Sequence, residues 1–549
     1  MKPRDYQEWC VKQLWQYFAE GGKGHPLVCM PTGTGKSLVL AVFIRAAMEY
    51  PGQRIAMLTH VKELVVQDYN ALLAYWPEAP VGIISSGLNK NEYGRSITFG
   101  SIGSVYRNPL LLGNLDLLFI DEAHLVGTEE SGMYRSLIAE LLLINPALKV
   151  VGLTATAFRM GKGMLTEGSD ALFTDIAVDC TGLSAFNWFI EQGYLSPLVC
   201  RKTSAQLDTV GLKSSGGDFN KKALQEACTK EGVTEEALGE AVDLGWQRRH
   251  WLVFCSGIEH AELAAEILNQ RGVKTCCVHS QMPESERDAR LLEFKRGEWQ
   301  AITNNGILTT GFDAPLIDLI VMLRPTKSTG LWIQMLGRGT RPVYAQGPDL
   351  TTREGRHQAI GLGPKANCLV LDYAGNTERL GPINDPIIPK RAGKGGGTAP
   401  VRLCPECECY SHASARECSA CGFVFPVAVN LNARASGGDV LASAKEDIVT
   451  NIPVSRVVYS AHLKPGKPPS LLLTYHCGLT RFRDWHCFEH GGYPRSQAKN
   501  WWRSAAGTPP PTTVEEALAR VDELKTPTGI RVWIKTKHSE VLGVEYGPA

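Results

Sequence analysis

The stretch "PLVCMPTGTGKSLVLAVFI", residues 26–44, decides the fold. A short apolar run reads as a buried strand, a glycine-bearing turn follows, and an apolar helix-compatible segment closes the unit. Such a turn aims backbone N–H groups, reinforced by a helix N-terminus, at a phosphate chain. Thr32, Gly33, Thr34 and Gly35 would form the cradle for that phosphate chain. Lys36 would reach the β- and γ-phosphates and Ser37 would hold Mg²⁺. Met30 stands where the general pattern has its first glycine. A second apolar run, "LLFID" (117–121), ends on Asp121, with Glu122 next. Adjacent carboxylates at the carboxyl end of a buried strand suit the ligand crevice of an open α/β sheet. Asp121 is expected to hold Mg²⁺, directly or through water, and Glu122 to polarise the attacking water.

Working outward, "RIAML" and "VVGLT" complete a first set of buried strands, each followed by helix-compatible sequence. The pattern repeats with "HWLVFC", "KTCCV", "QAITN", "DLIVML" and "NCLVLDY". Two such sets predict an α/β chain with two tandem doubly wound parallel-sheet domains, at 1–195 and 196–390. "LKSSGGDFNKK" (212–222) reads as a loop or small insertion, "RAGKGGGTAP" (391–400) as a flexible linker, and "ARASGGD" (433–439) as another. The chain is 549 residues with a net charge of +1, so any basic surface must be local. No apolar run is long enough to span a bilayer, which argues against a membrane role. "MKPRDYQEWC" lacks a signal-peptide core, and the sixteen scattered cysteines fit a reducing cytoplasm.

"IQMLGRGTRP" (333–342) spaces Gln334, Arg338 and Arg341 four and three apart. On a helix that puts an amide and two guanidiniums on one face. Gly337 and Gly339 interrupt it, each at about 1 kcal/mol relative to alanine.

The motifs together resemble those of superfamily 2 helicases of the DEAH type. "PTGTGKS" is similar to motif I, "DEAH" (121–124) to motif II, "TAT" (154–156) to motif III and "RDYQ" to the adenine-reading element. "THVKELVVQ" (59–67) and "TFGSIGSV" (98–105) resemble strand-binding motifs Ia and Ib. "VFCSGIEHAE", "VHSQMPESER", "NNGILTTGFDAP" and "QMLGRGTRP" resemble motifs IV, IVa, V and VI, in order, so the likeness covers residues 1–375. It implies two RecA-like domains hydrolysing ATP in the cleft between them, with single-stranded nucleic acid lying across both. Gln7 would contact the adenine, with Tyr6 or Arg4 helping to position it. Gly311 and Asp313 would couple nucleotide state to the strand, and Thr154 and Thr156 would relay between acids and nucleic acid. Arg338 and Arg341 would sit on the γ-phosphate of ATP and Gln334 nearer the water or the γ-phosphate edge. Within the superfamily the arrangement is most similar to RadD-type bacterial DNA-repair helicases, with a bacterial or phage origin left open.

"LCPECECYSHASARECSACGF" contains Cys404-x2-Cys407 and Cys418-x2-Cys421. Four thiolates in two such knuckles fit a closed, structural Zn²⁺ site, a ribbon at 401–426, with Cys409 and His412 as second-choice ligands. Residues 445–549 read as a basic and aromatic α+β accessory domain rich in strands. Between 454 and 503 eight Lys or Arg stand against Asp484 and Glu489, interleaved with Tyr459, Tyr475, Phe482, Trp485, Phe488, Tyr493, Trp501 and Trp502. Each aromatic is individually read as core, and the region as a nucleic-acid accessory with protein docking as the rival. His476, Cys477, His486, Cys487 and His490 offer a second, weaker metal set. The expected function is an ATP-dependent DNA helicase or translocase acting on single-stranded or branched DNA in repair, recombination or replication. The alternatives are a remodeller of DNA–protein complexes, an RNA helicase, or a non-catalytic nucleic-acid scaffold.

Overall fold

The computed structural model describes residues 2–546 except 23, 128, 130, 160–162, 169, 208–213, 216–217, 221–223, 226–227, 229–231, 389–398, 427–447, 465–466, 479, 492 and 535–539. Most of the insertion at 212–222 and both glycine-rich linkers fall outside the described residues.

The first domain opens with helix α1 (Asp5–Ala19), whose Tyr6, Cys10 and Leu14 recur at helical spacing and are buried. Its sheet contains β1 (Pro26–Cys29), β2 (Ile55–Thr59), β3 (Val81–Ser85), β4 (Lys90–Asn91), β5 (Ile97–Ser101), β6 (Leu117–Asp121), β7 (Lys149–Thr154) and β8 (Asp175–Asp179). Their order is β8-β1-β7-β6-β2-β5-β3-β4, parallel throughout except for the short β3–β4 pair. Strands β1 and β6 are buried along their whole length, which explains why they read as continuous apolar runs. Helices α2 (Lys36–Ala47), α3 (Lys62–Tyr75) and α4 (Leu183–Glu191) cover one face with α1.

The second sheet contains β9 (Leu198–Arg201), β10 (Trp251–Cys255), β11 (Thr275–Val278), β12 (Ala301–Asn304), β13 (Leu319–Leu323) and β14 (Cys368–Asp372). Its order is β9-β14-β13-β10-β12-β11, parallel throughout. Helix α5 (Glu284–Lys295) follows β11, and α6 (Thr329–Gly337) follows β13. In both sheets the carboxyl ends of the strands carry the loops expected to bind ligands.

A ribbon of two short antiparallel strands, β15 (Val401–Leu403) and β16 (Tyr410–His412), is fastened to the second domain. Lys202 N donates to Glu408 O at 2.8 Å, Tyr410 Oη to Glu378 at 2.6 Å, and His412 Nε2 lies 2.8 Å from Asp385.

Residues 429–549 form a separate compact unit. It holds two antiparallel three-stranded sheets, β17-β21-β22 and β18-β19-β20. Their strands are β17 (Ile448–Pro453), β18 (Arg456–His462), β19 (Ser470–Cys477), β20 (Thr480–His486), β21 (Pro527–Ile534) and β22 (Glu540–Tyr546). Tyr475, Phe482, Phe488 and Trp502 enter its core beside α7 (Tyr493–Ala506) and α8 (Val514–Ala519), as read for each, but the same reading fails at Trp485, which is exposed. Thr513 caps α8 by accepting from Glu516 N at 3.1 Å. The second metal set does not assemble. His486 stacks on Trp501 at 3.8 Å and faces Asp484, and among the described residues the four-cysteine group alone has metal-ligand geometry.

Candidate active site

The turn between β1 and α2 bends through Gly33 (φ +92°) and Gly35 (φ +82°), backbone that L side chains rarely adopt. A side chain at Gly35 would also strike the Gln7 amide, 2.5 Å from where its Cβ would stand. Gln7 is placed by α1. Its Nε2 donates to Thr34 O at 3.0 Å, Tyr6 Oη donates to the same carbonyl at 2.7 Å, and Arg4 N donates to Gln7 Oε1 at 2.9 Å. The Gln7 side chain thus buttresses the phosphate loop from behind, while the Arg4 guanidinium stands over Tyr194 and Tyr344. Met30 is fully buried with its side chain in the core, and it is its carbonyl that Lys36 Nζ meets, at 3.4 Å. The missing first glycine therefore leaves the loop intact.

A cavity of about 290 Å³ lies between the two domains. The first domain lines it with Thr32, Gly33, Gly35, Lys36, Ser37, Asp121 and Glu122, and the second with Gly311, Asp313, Arg338 and Arg341. Thr34 turns away, fully buried, to donate to Pro31 O. Glu122 holds a left-handed conformation (φ 52°), a strained backbone of the sort that functional sites retain.

Asp121 Oδ1 and Glu122 Oε2 are buried and unbonded. Beside them Asp68 of α3, 2% exposed, bonds the Ser37 hydroxyl through one oxygen and leaves Oδ2 without a partner. Burial, opposed by Ser37 and Lys36 and aided by Glu122, pushes Asp68 up to about 7, and burial with Asp68 and Glu122 lifts Asp121 well above the carboxylate range. Three orphaned oxygens around a serine hydroxyl are a hard donor set that fits Mg²⁺. The opposite wall is positive: burial lowers Arg338 and Arg341 to about 10, opposed at Arg338 by the charge of Glu122.

The helical-face reading of 333–342 is corrected. Helix α6 stops at Gly337, so Arg338 is its C-cap and Arg341 lies beyond it. Arg338 donates to Phe312 O at 2.5 Å and Thr309 O at 2.8 Å, which ties it to the preceding loop with only Nε unbonded. Arg341 pairs with Asp313, which is half exposed. Gln334 does not line the cavity. Its Nε2 lies 2.6 Å from His124 Nε2, and His124 Nδ1 lies 3.0 Å from Thr154 Oγ1, which in turn bonds Thr156. Burial lowers His124, so a neutral ring can accept from Gln334 while donating to Thr154. Of the two glycines, Gly337 faces the other domain, its Cβ position 2.7 Å from Thr32, whereas Gly339 packs inside its own on Cys368 and Ile320.

Sequence reading missed Asp68, the His124 relay and Lys365. Lys365 is 1% exposed, and its Nζ donates to Pro315 O, Gly339 O and Arg341 O at 2.8–3.0 Å. It pins the loops carrying Asp313 and Arg341. Its signal was faint: a lone lysine just ahead of an apolar strand.

Two further cavities flank the cleft. One, about 440 Å³, is lined by His60, Lys62 and the serines 85, 86, 101 and 104; the other, about 780 Å³, by Ser256, Ser280, Asn305, Thr309 and Arg324. They bring together the stretches read as motifs Ia and Ib, and as IV, IVa and V.

In the ribbon the Sγ atoms of Cys404, Cys407, Cys418 and Cys421 all lie within 4.8 Å of one another. Cys404–Cys421 and Cys407–Cys418 are each 3.6 Å apart, close to the ~3.8 Å implied by tetrahedral Zn–S bonds of about 2.3 Å. The set fits zinc. Cys409 and His412 lie outside it, Cys409 bonding Cys407 O and His412 bonding Asp385 and Ser414.

Residues 1–159 match the family of the type III restriction enzyme res subunit, and residues 236–342 match the helicase conserved C-terminal domain. With two RecA-like sheets and the phosphate loop, acids and arginines meeting across one cleft, the chain carries the core of a superfamily 2 helicase, a class of ATP-hydrolysing enzymes. It is 28% identical over 411 residues to the "Putative mitochondrial ATP-dependent helicase irc3" of Schizosaccharomyces pombe, covering 71% of this chain and 60% of that protein. It is 24% identical over 406 residues to a 51.5 kDa protein of a Lactococcus phage, covering 73% and 78%. Among solved structures it is similar to the fragment of a "putative HsdR subunit of a type I restriction enzyme" from Vibrio vulnificus, with TM-score 0.49, 21% identity and coverage of 71% and 68%. The chain thus spans three-fifths of the fission-yeast relative's length.

Proposed function

We propose that this chain is a nucleic-acid-stimulated ATPase that moves along single-stranded DNA and separates strands, in repair, recombination or replication. The observation that carries the reading is the single cavity built by Lys36, Ser37, Asp121 and Glu122 from one domain and Arg338 and Arg341 from the other. The phosphate loop holds the nucleotide, Glu122 orients the attacking water, and Arg341 leaves half-exposed Asp313 for the γ-phosphate as the cleft tightens. Arginines supplied across such a cleft accelerate phosphoryl transfer by about 10³–10⁵. Mg²⁺, when bound, supplies charge neutralisation beside Ser37 and Asp121, with Zn²⁺ serving only as a scaffold in the ribbon. The chain from Gln334 through His124 to Thr154 and Thr156 links the arginine segment to the acids, a route by which nucleotide state reaches the strand.

The hydroxyl- and amide-lined cavities on both domains suit a sugar–phosphate backbone gripped without reading bases. Similarity of the first domain to restriction-enzyme res subunits favours DNA over RNA. The test is ATP turnover with no polymer, with single-stranded DNA and with RNA. DNA should stimulate and RNA should not. Absence of any stimulation in zinc-loaded protein would end the motor reading, and preference for RNA would reassign the substrate. Lys36→Ala should abolish turnover while DNA binding persists.

A further inference from the structure

Strands β18, β19 and β20 bury one face, with Leu471, Leu473, Tyr475 and Phe482 in the core of the C-terminal unit. Their antiparallel register assembles the other face in rows. His476 pairs with Arg456 on one side and Arg481 on the other, Thr474 with Val458 and Arg483, and Leu472 with Ser460 and Trp485. Arg456, Arg481 and Arg483 are exposed, and Trp485 is 47% exposed, with His462 edge-on at 6.3 Å.

This face holds no carboxylate. The one acid in these strands, Asp484, has the opposite parity and faces His486 at 3.2 Å. None of the three arginines has an ion pair among the described residues, although elsewhere in the same unit Arg520 pairs with both Glu516 and Glu523. Like charges gathered on one sheet face destabilise it, and an exposed tryptophan adds nothing to the core. Stability does not account for the arrangement; a ligand that is both polyanionic and flat does.

We propose that this sheet face is a second binding site for single-stranded nucleic acid, with phosphates on Arg456, Arg481 and Arg483 and a base stacked on Trp485. An acidic peptide would satisfy the guanidiniums but has no use for the indole. The inference draws on the motor reading only for the class of ligand. It makes the exposed face of β18, β19 and β20 a grip on the strand that does not depend on nucleotide.

The experiment uses the full chain without nucleotide and follows fluorescence anisotropy of labelled oligo-dT and oligo-rU of about 20 nucleotides, a length that spans one small binding sheet. Arg481→Glu with Arg483→Glu should weaken binding at least ~10-fold and reduce the slope of log affinity against log salt by about 1.4, two phosphate contacts' worth. Trp485→Ala should weaken it ~5-fold or more, and Trp485→Phe should restore most of the loss. Weaker oligo-dT than oligo-rU binding, or the reverse, identifies the polymer. Basal ATP turnover without polymer should be unchanged in all these variants, so a wild-type protein lacking turnover would defeat the motor reading and leave this comparison intact. The milder Arg481→Ala with Arg483→Ala pair serves if the charge reversal fails to fold. Unchanged affinity and slope in the arginine variants overturns the proposal. So does full competition by poly-glutamate together with indifference to Trp485→Ala, which would identify an acidic protein ligand.

Discussion

Asp68 sits one residue after Gln67 on α3, and nothing in its local sequence marks it as part of a catalytic site. The fold buries it against Ser37, where a carboxylate can hold the hydroxyl in the orientation a metal needs. Residues that orient metal ligands are worth about 10–100-fold in metal affinity. Asp68→Asn should therefore raise the Mg²⁺ needed for half-maximal turnover by about tenfold, and weaken Mn²⁺ binding measured by spin resonance to match. A different residue governs behaviour in acid. His260 is fully buried, accepts from Ser256 N at 3.2 Å, and is lowered from 6.5 to about 4 by burial. The unfolded chain takes up that proton near 6.5 and the folded one near 4, so the stabilisation is complete above 6.5 and is lost as pH falls between the two. Denaturant melts should show a loss of about 3 kcal/mol across that window, reduced in His260→Gln.

At the scale of elements, the end of α6 matters more than its face. Gly337 terminates the helix against Thr32 of the other domain, where a Cβ would stand 2.7 Å away. Gly337→Ala should hold the cleft ajar, cutting ATP turnover ~100-fold while a fluorescent ATP analogue still binds to the first domain, since misplacement by an ångström carries that order of cost. The ribbon is a second such element. Its four-thiolate set should release one zinc per chain to a chromogenic chelator after thiol modification, and Cys418→Ser should abolish that signal and open residues 401–426 to protease.

What the sequence disclosed follows from the range of the interactions involved. The phosphate loop, the acidic pair, the buried strands and the cysteine knuckles are set by neighbours in the chain, so spacing and residue type sufficed. The helical face of Gln334, Arg338 and Arg341 misled because periodicity cannot see where a helix ends. That end lies at Gly337, close against Thr32, and Arg338 is claimed by carbonyls at 309 and 312. Asp68 reaches Ser37, His124 reaches Thr154 and Gln334, and Lys365 reaches Arg341 O, all at least 24 residues away, and such partners leave no local pattern.

At the scale of the whole molecule, the second domain is larger than its recognisable motifs. The helicase C-terminal match ends at 342, but Lys365 and β14 lie beyond it and complete both the arginine loop and the sheet. A fragment ending at 345 should be insoluble or lack a cooperative melt, whereas one ending at 388 should melt cooperatively and retain ATP binding.

The strand that opens this domain also pairs with the one that closes it, Leu198 lying beside Cys368. In the order of synthesis β9 therefore leaves the ribosome long before its parallel partner β14 exists. At about 5–20 residues per second that interval is on the order of ten seconds or more. During it a strand edge stands open beside an already folded first domain. Folding of this domain is thus paced by translation, and the rate at which residues 202–367 are made sets how long the nascent chain is exposed to mispairing.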